Sequence, residues 1–170
     1  MKKFAVVILA MTLLMTFAAV PVMAKSPNKV PATAVITGIT GYEPDTIVVR
    51  MTDDGIWHME YFKMWGTINL YLDGGPAIPV QWVDICEGLY NPVSNTGVYR
   101  FDEVWTLPDG TFVGTDKLSM EGNVLGDYTG MHTHIVLQGS PGGVYEGQLI
   151  NLWFDTFSDE PYFVGFWLKP

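Results

Sequence analysis

From Ala34 onward, apolar residues either alternate with polar ones or run together in short blocks, and Gly, Pro, Asn and Asp interrupt them at short intervals. Almost no stretch repeats its apolar positions with the 3.6-residue period of a helix. A period of two, in blocks bounded by turn formers, is the mark of strands. The pattern predicts strands over 34–39, 46–51, 56–72 (one strand, or two divided near Gly66), 78–85, 97–107, 111–120, 131–138, 144–154 and 162–168. The turns have matching chemistry. Pro108-Asp109-Gly110, Asp73-Gly74-Gly75 and the stretch from Thr52 to Gly55 combine a restricted φ or a local side-chain acceptor with residues that tolerate positive φ. No repeat or linker divides the chain. The expected fold is all-β: a single closed antiparallel β-barrel of about eight strands, since closure removes the exposed edges that about nine strands would otherwise leave.

Alternation also assigns faces. In 131–138, Met131, Thr133, Ile135 and Leu137 form the more apolar face, and His132 and His134 share the other, about 7 Å apart along the strand. Two such imidazoles can chelate Zn²⁺ or Cu²⁺ only with further ligands. The third histidine, His58, shares a face with Glu60, and the four would form a site only if their strands met. The expected arrangement is the other one: the histidine face looks outward and no metal site is formed. In 97–107, Tyr99, Phe101, Glu103, Trp105 and Leu107 share one face. A carboxylate among aromatics is desolvated, which raises its pKa and suits it to acid–base work near neutral pH. The structural alternative is a carboxylate accepting a hydrogen bond from a buried Trp. Tyr99, Phe101, Glu103 and Trp105 are therefore the candidate ligand-binding residues, with Glu103 the candidate catalytic group. Trp57 and Trp65 fall on a common face with Met59, Tyr61 and Lys63. The final strand is apolar on both faces, which suits contact with a second subunit or cover by the N-terminal segment.

Composition narrows the class. Residues 1–24 have a basic start (Lys2, Lys3), a long apolar run, a break at Pro21 and small residues up to Ala24, as in a secretory signal peptide cleaved after Ala24; an uncleaved anchor is the alternative. Residues 25–33 read as an extended N-terminal segment and 34–170 as the barrel domain. Cleavage would remove two of nine basic residues and none of eighteen acidic ones, leaving a net charge of −11. Such a surface excludes nucleic acid and anionic membranes as partners and suits a soluble secreted or periplasmic protein. The single cysteine, Cys86, allows no internal disulfide and lies among apolar residues, where it serves as a small hydrophobe. No nucleophile elbow, phosphate loop or dinucleotide fingerprint is present, and no cofactor is called for.

The stretch containing Gly139, Gly142, Gly143, Tyr145, Glu146 and Gly147, followed by the aromatic strand 162–169, resembles the C-terminal part of the allene oxide cyclase and dirigent-like barrels; 107–114 has a similar look. The resemblance covers the last third of the chain. It implies a small calycin-like barrel of about eight strands, often trimeric, with an apolar cavity and with glycines where the wall bends; those families' catalytic residues belong mostly to strands outside the matching stretch, and none is carried over to this chain. Together these features point to a secreted or periplasmic barrel that binds a small apolar or aromatic ligand or serves as a structural extracytoplasmic module. A cyclase- or isomerase-type enzyme using Glu103, and a metal-binding protein using the histidines, are the alternatives. Protein isolated from its native host is expected to begin near Lys25 on N-terminal sequencing; an intact Met1 on the mature protein would contradict the cleavage reading.

Overall fold

In a computed structural model the chain is described over residues 28–44, 47–122, 128–155 and 162–170. The expected leader, residues 1–24, lies outside these. Nine strands follow in order: β1 (Asn28–Glu43), β2 (Val48–Met51), β3 (Trp57–Leu72), β4 (Ile78–Asn91), β5 (Thr96–Leu107), β6 (Gly110–Gly122), β7 (Tyr128–Gly139), β8 (Leu149–Asp155) and β9 (Tyr162–Lys169). All neighbouring pairs are antiparallel. The sheet runs β1-β9-β8-β7-β6-β5-β4-β3-β2, and β1 also pairs with β3 from Ala32↔Leu72 to Glu43↔Lys63. Eight strands thus close into a barrel. The short β2 is the extra strand, and it extends the β1 side of β3 through Val48↔Glu60 to Met51↔Trp57. No helix among the described residues is long and apolar enough to cross a membrane.

The elements differ from the sequence reading at several ends, each for a local reason. β1 starts at Asn28, so part of the expected N-terminal segment belongs to the barrel: Asn28 to Val35 pair with β9. Residues 57–72 form one strand, undivided at Gly66. Gly66 is instead a point of close approach, where a Cβ would stand 2.1 Å from the Gly38 carbonyl oxygen and 2.7 Å from the Trp82 ring. β8 begins at Leu149, because residues 140–148 form a turn. Gly142 (φ 74°) and Gly147 (φ 76°) serve that turn's left-handed backbone rather than a bend in the barrel wall.

A bulge corrects one assignment of faces. Between Met59↔Gly88 and Phe62↔Cys86, two residues of β3 oppose one of β4, and Tyr61 takes φ 61°. The extra residue reverses the parity of the strand. Met59 and Phe62 both point into the barrel at 5 % exposure. Trp57 and Met59 therefore do not share a face with Lys63 and Trp65, as simple alternation had them.

The inward residues form two core clusters. The larger includes Leu70, Trp105, Phe112, Ile135, Leu137 and Ile150, and at its end Phe112, Tyr145 and Trp167 pack ring against ring with centroids 4.9–5.3 Å apart. The Trp167 indole donates to Gln148 Oε1 at 2.8 Å, so this end of the barrel is sealed. The smaller cluster gathers Met59, Phe62, Cys86, Tyr99, Phe101, Leu118 and Met120, and Met64 and Met131 touch both. On β9, Phe163 and Trp167 are inside. Outside, Lys29 Nζ lies 4.1 Å from the Phe166 ring, while Tyr162 and Val164 stay exposed.

Gly66→Val is expected to destabilise the barrel by about 1–3 kcal/mol, the range for forced overpacking. Urea unfolding followed by tryptophan fluorescence checks it as a lowered midpoint; an unchanged midpoint would mean that β1 and β4 do not crowd Gly66.

Candidate functional site

Strand alternation sends every second side chain of β4, β5 and β6 into the barrel. On β4 these are Val80, Trp82, Asp84 and Cys86; on β5, Phe101, Glu103 and Trp105; on β6, Phe112, Asp116, Leu118 and Met120. Register then sets their height. Asp84 is directly opposite Glu103, Glu103 opposite Gly114, and Phe101 opposite Asp116. Three carboxyl side chains from three consecutive strands therefore stand near one level, between the two core clusters.

They border a cavity of about 210 Å³. Its walls are mainly apolar, with Met64, Ile68, Phe101, Leu118, Met131 and Ile135 among them, and Trp82, Asp84, Glu103, Asp116 and Thr133 supply the polar groups. Ile39 also lines it and is 62 % exposed, so the cavity reaches solvent beside β1, at the end opposite the aromatic seal. Two irregularities in β1, between Ile36 and Gly38 and between Ile39 and Gly41, shape this side.

Glu103 is 5 % exposed. The Trp105 indole donates to its Oε1 at 2.5 Å, while its Oε2 is buried without a hydrogen-bond partner. Asp84 Oδ1 and the Trp82 indole nitrogen are likewise buried and unpartnered. Thr133 on β7 donates its hydroxyl to Asp116. The electrostatics follow. Burial, then the charges of Asp84 and Asp116, hold the Glu103 carboxyl well above the usual carboxylate range against the opposing Trp105 bond. Burial, then Asp116, does the same for Asp84. Burial raises Asp116 less freely, since the Thr133 bond, the backbone of His134 and Lys117 and the His134 charge all favour its ionised form. Cys86 is fully buried, and burial and the neighbouring acids push its thiol far up, which makes it inert as a nucleophile.

All four sequence-predicted ligand residues point inward. Phe101 and Glu103 line the cavity. Trp105 lies beyond it and anchors Glu103; Tyr99 belongs to the smaller cluster at the barrel's other end. Asp84 and Asp116 escaped notice, although the alternation that marked Glu103 marks them too, in Trp82-Asp84-Cys86 and Asp116-Leu118-Met120.

The histidines are on the outer wall. His132 is exposed, and His134 stacks on Trp153 at 5.3 Å and donates through Nε2 to Asn151 Oδ1 at 2.9 Å. His58 pairs with Glu60 at 3.4 Å. His58, Leu89, Val98, Ser119 and His132 form one row across five strands. Four inter-strand steps separate the two histidines, roughly 19 Å along the wall. No group of three or more His, Cys, Asp or Glu side chains among the described residues is placed to hold a metal ion.

Compared with family models, curated proteins and solved structures, the chain matches none.

The raised Glu103 pKa makes a signed prediction. The folded protein holds this proton more tightly than the unfolded chain, so the wild type loses stability as pH rises from the unfolded carboxyl value toward and through the folded one. Glu103→Gln keeps an acceptor for Trp105 and removes the titration. Its melting temperature relative to wild type is expected to be several degrees more favourable at pH 8 than at pH 4.5, at about 2–4 °C per kcal/mol relieved. An equal difference at both pH values would show that Glu103 titrates alike in the two states.

Proposed function

We propose that this protein is an extracytoplasmic barrel that binds one small ligand, mainly apolar with a polar head, in the cavity between its two core clusters. The observation that carries the reading is a polar group set in an otherwise apolar chamber: Trp82, Asp84 and Glu103 line the cavity, and Glu103 Oε2, Asp84 Oδ1 and Trp82 Nε1 are buried without partners. Buried polar atoms cost about 1–3 kcal/mol each when left unsatisfied, and a ligand that meets them recovers that cost. The size is right for a ring with a short side chain, since an apolar cavity of about 150 Å³ takes up benzene. Export is supported by the basic, apolar and small-residue order of residues 1–24 and by the strongly acidic remainder. The resemblance of 139–147 and 162–169 to allene oxide cyclase and dirigent-like barrels supports the same reading, as it implies a barrel with an apolar cavity.

One observation favours a second reading, a cyclase- or isomerase-type reaction. Glu103 stands in a mainly apolar chamber where burial and the neighbouring acids raise its carboxyl well above the usual carboxylate range, which suits acid–base work.

Ligand-observed NMR with benzyl alcohol, benzylamine and benzoate tests the binding reading. At least one probe is expected to bind with a Kd below about 1 mM, the range a few well-placed contacts supply. Met131→Trp, which fills the cavity, is expected to abolish that binding while the variant still melts cooperatively. Failure of all three probes, or equal binding to the filled variant, would overturn it.

A further inference from the structure

We infer that the polar head of the ligand is a cation, and that the cavity is a site for a small organic ammonium ion carrying an aromatic or branched aliphatic body. The inference rests on the binding reading above and deepens it. Three carboxyl side chains border the cavity, from β4, β5 and β6, and among the described residues no Lys, Arg or His does. The basic residues of these strands face the other way: Arg100 pairs with Asp102 at 3.0 Å on the outer wall, and Lys117 is exposed. β1, β3 and β9 contribute only apolar side chains to the lining, and β7 adds Thr133, with His134 behind it on the outside. Cys86, beside Asp84, stays a neutral thiol.

The acids alone do not specify a ligand. The orphaned carboxyl oxygens do, because two of the three orphaned atoms are acceptors that a donor-rich head would meet. Trp105 uses one oxygen of Glu103 and Thr133 one of Asp116, while Glu103 Oε2 and Asp84 Oδ1 are buried without partners on residues that line the chamber. Two unpartnered carboxyl oxygens from directly opposed residues match the several N–H donors of one ammonium group. An anion would add a like charge to the cluster. A neutral alcohol has one donor for two carboxyls. Phe101 and Trp82 line the same chamber, and aromatic rings attract a cation and an aromatic body alike. A metal ion is the poorer fit, since the walls are apolar and the carboxyls do not converge as a ligand set.

Binding is then an exchange of charge. Like charges opposed across a ladder are unfavourable, and without a cation the cluster relieves them by retaining protons. An ammonium ion replaces those protons, which pass to the buffer. Affinity therefore rises with pH over the range in which protons are displaced, by up to tenfold per pH unit for each proton released.

Isothermal titration with the full-length secreted protein compares benzylamine, benzyl alcohol and benzoate at pH 6 and pH 8, in buffers of differing ionisation enthalpy. Benzylamine is expected to bind at least tenfold more tightly than benzyl alcohol at pH 8, to tighten from pH 6 to pH 8 and to release protons. Benzoate is expected not to bind. Asp84→Asn and Glu103→Gln, each confirmed as folded by circular dichroism, are expected to weaken benzylamine at least tenfold and to weaken it more than they weaken benzyl alcohol. Equal affinity for amine and alcohol would overturn the cationic head and leave the binding reading intact; loss of all three probes would overturn both. Displacement of benzylamine by millimolar Ca²⁺ or Mg²⁺ would overturn the organic cation in favour of a metal.

Discussion

Pairing of β1 with β3 is the constraint on which the rest of the structure depends. Without it the nine strands would be an open sheet, with one apolar face exposed to water and two free edges. With it, the same alternation that makes each strand amphipathic acquires an inside. The closure is not regular. Two shifts of register in β1 and the Tyr61 bulge in β3 turn side chains between wall and interior, and the Cβ-less Gly66 lets β1 and the Trp82 ring approach β3 closely. Apart from a shift between Glu121 and Gly122 at the end of β6, strand parity holds through β4 to β7, whose interior follows from pattern, while the β1 side, where the cavity reaches solvent, is set by irregularities.

Inside, the barrel carries a feature that works against its own stability. Asp84 and Glu103 face each other across the β4/β5 ladder, and Asp116 is close enough for its charge to raise both. Replacing such a cluster with hydrophobic residues of similar volume is often neutral or stabilising. The packing around it is otherwise efficient: Trp105, Phe112, Leu137, Ile150 and Leu152 are fully buried. The contrast between a well-filled core and a polar gap within it is what separates this chamber from ordinary barrel packing. Trp105 holds one oxygen of Glu103 and Thr133 one of Asp116, fixing the direction of these carboxyls, while Glu103 Oε2 and Asp84 Oδ1 stay unpartnered.

Much of this was legible in the residues. All nine strands, the outward face of the histidine pair, the burial of Cys86 and the burial of Glu103 all follow from a period of two and from turn formers. What escaped was of two kinds. Asp84 and Asp116 were readable in principle: each occupies an inward position between apolar residues, and the rule used for Glu103 places them. That they stand at the level of Glu103 was not readable, because height in a barrel depends on register between strands, and register is a property of pairs. The bulge at Tyr61 escaped for a different reason. Nothing in a tyrosine announces positive φ, so Met59 was assigned the face of Lys63 and Trp65.

The two ends of the barrel complete the physical picture. At one, the 107–110 hairpin and the 140–148 turn bring Tyr145 onto Phe112 and Trp167, and Gln148 accepts the Trp167 indole N–H, so aromatic packing and a satisfied polar atom exclude water together. At the other, Ile39 stands exposed beside the cavity and the smaller cluster is built from Met59, Met120 and partly buried Met64 and Met131, flexible side chains that adapt to shape. A rigid seal and a methionine-rich approach give the interior a direction. The accessible chamber ends at the level of the carboxyls, where Trp82 and Trp105 begin the tightly packed core, so the acids mark its floor.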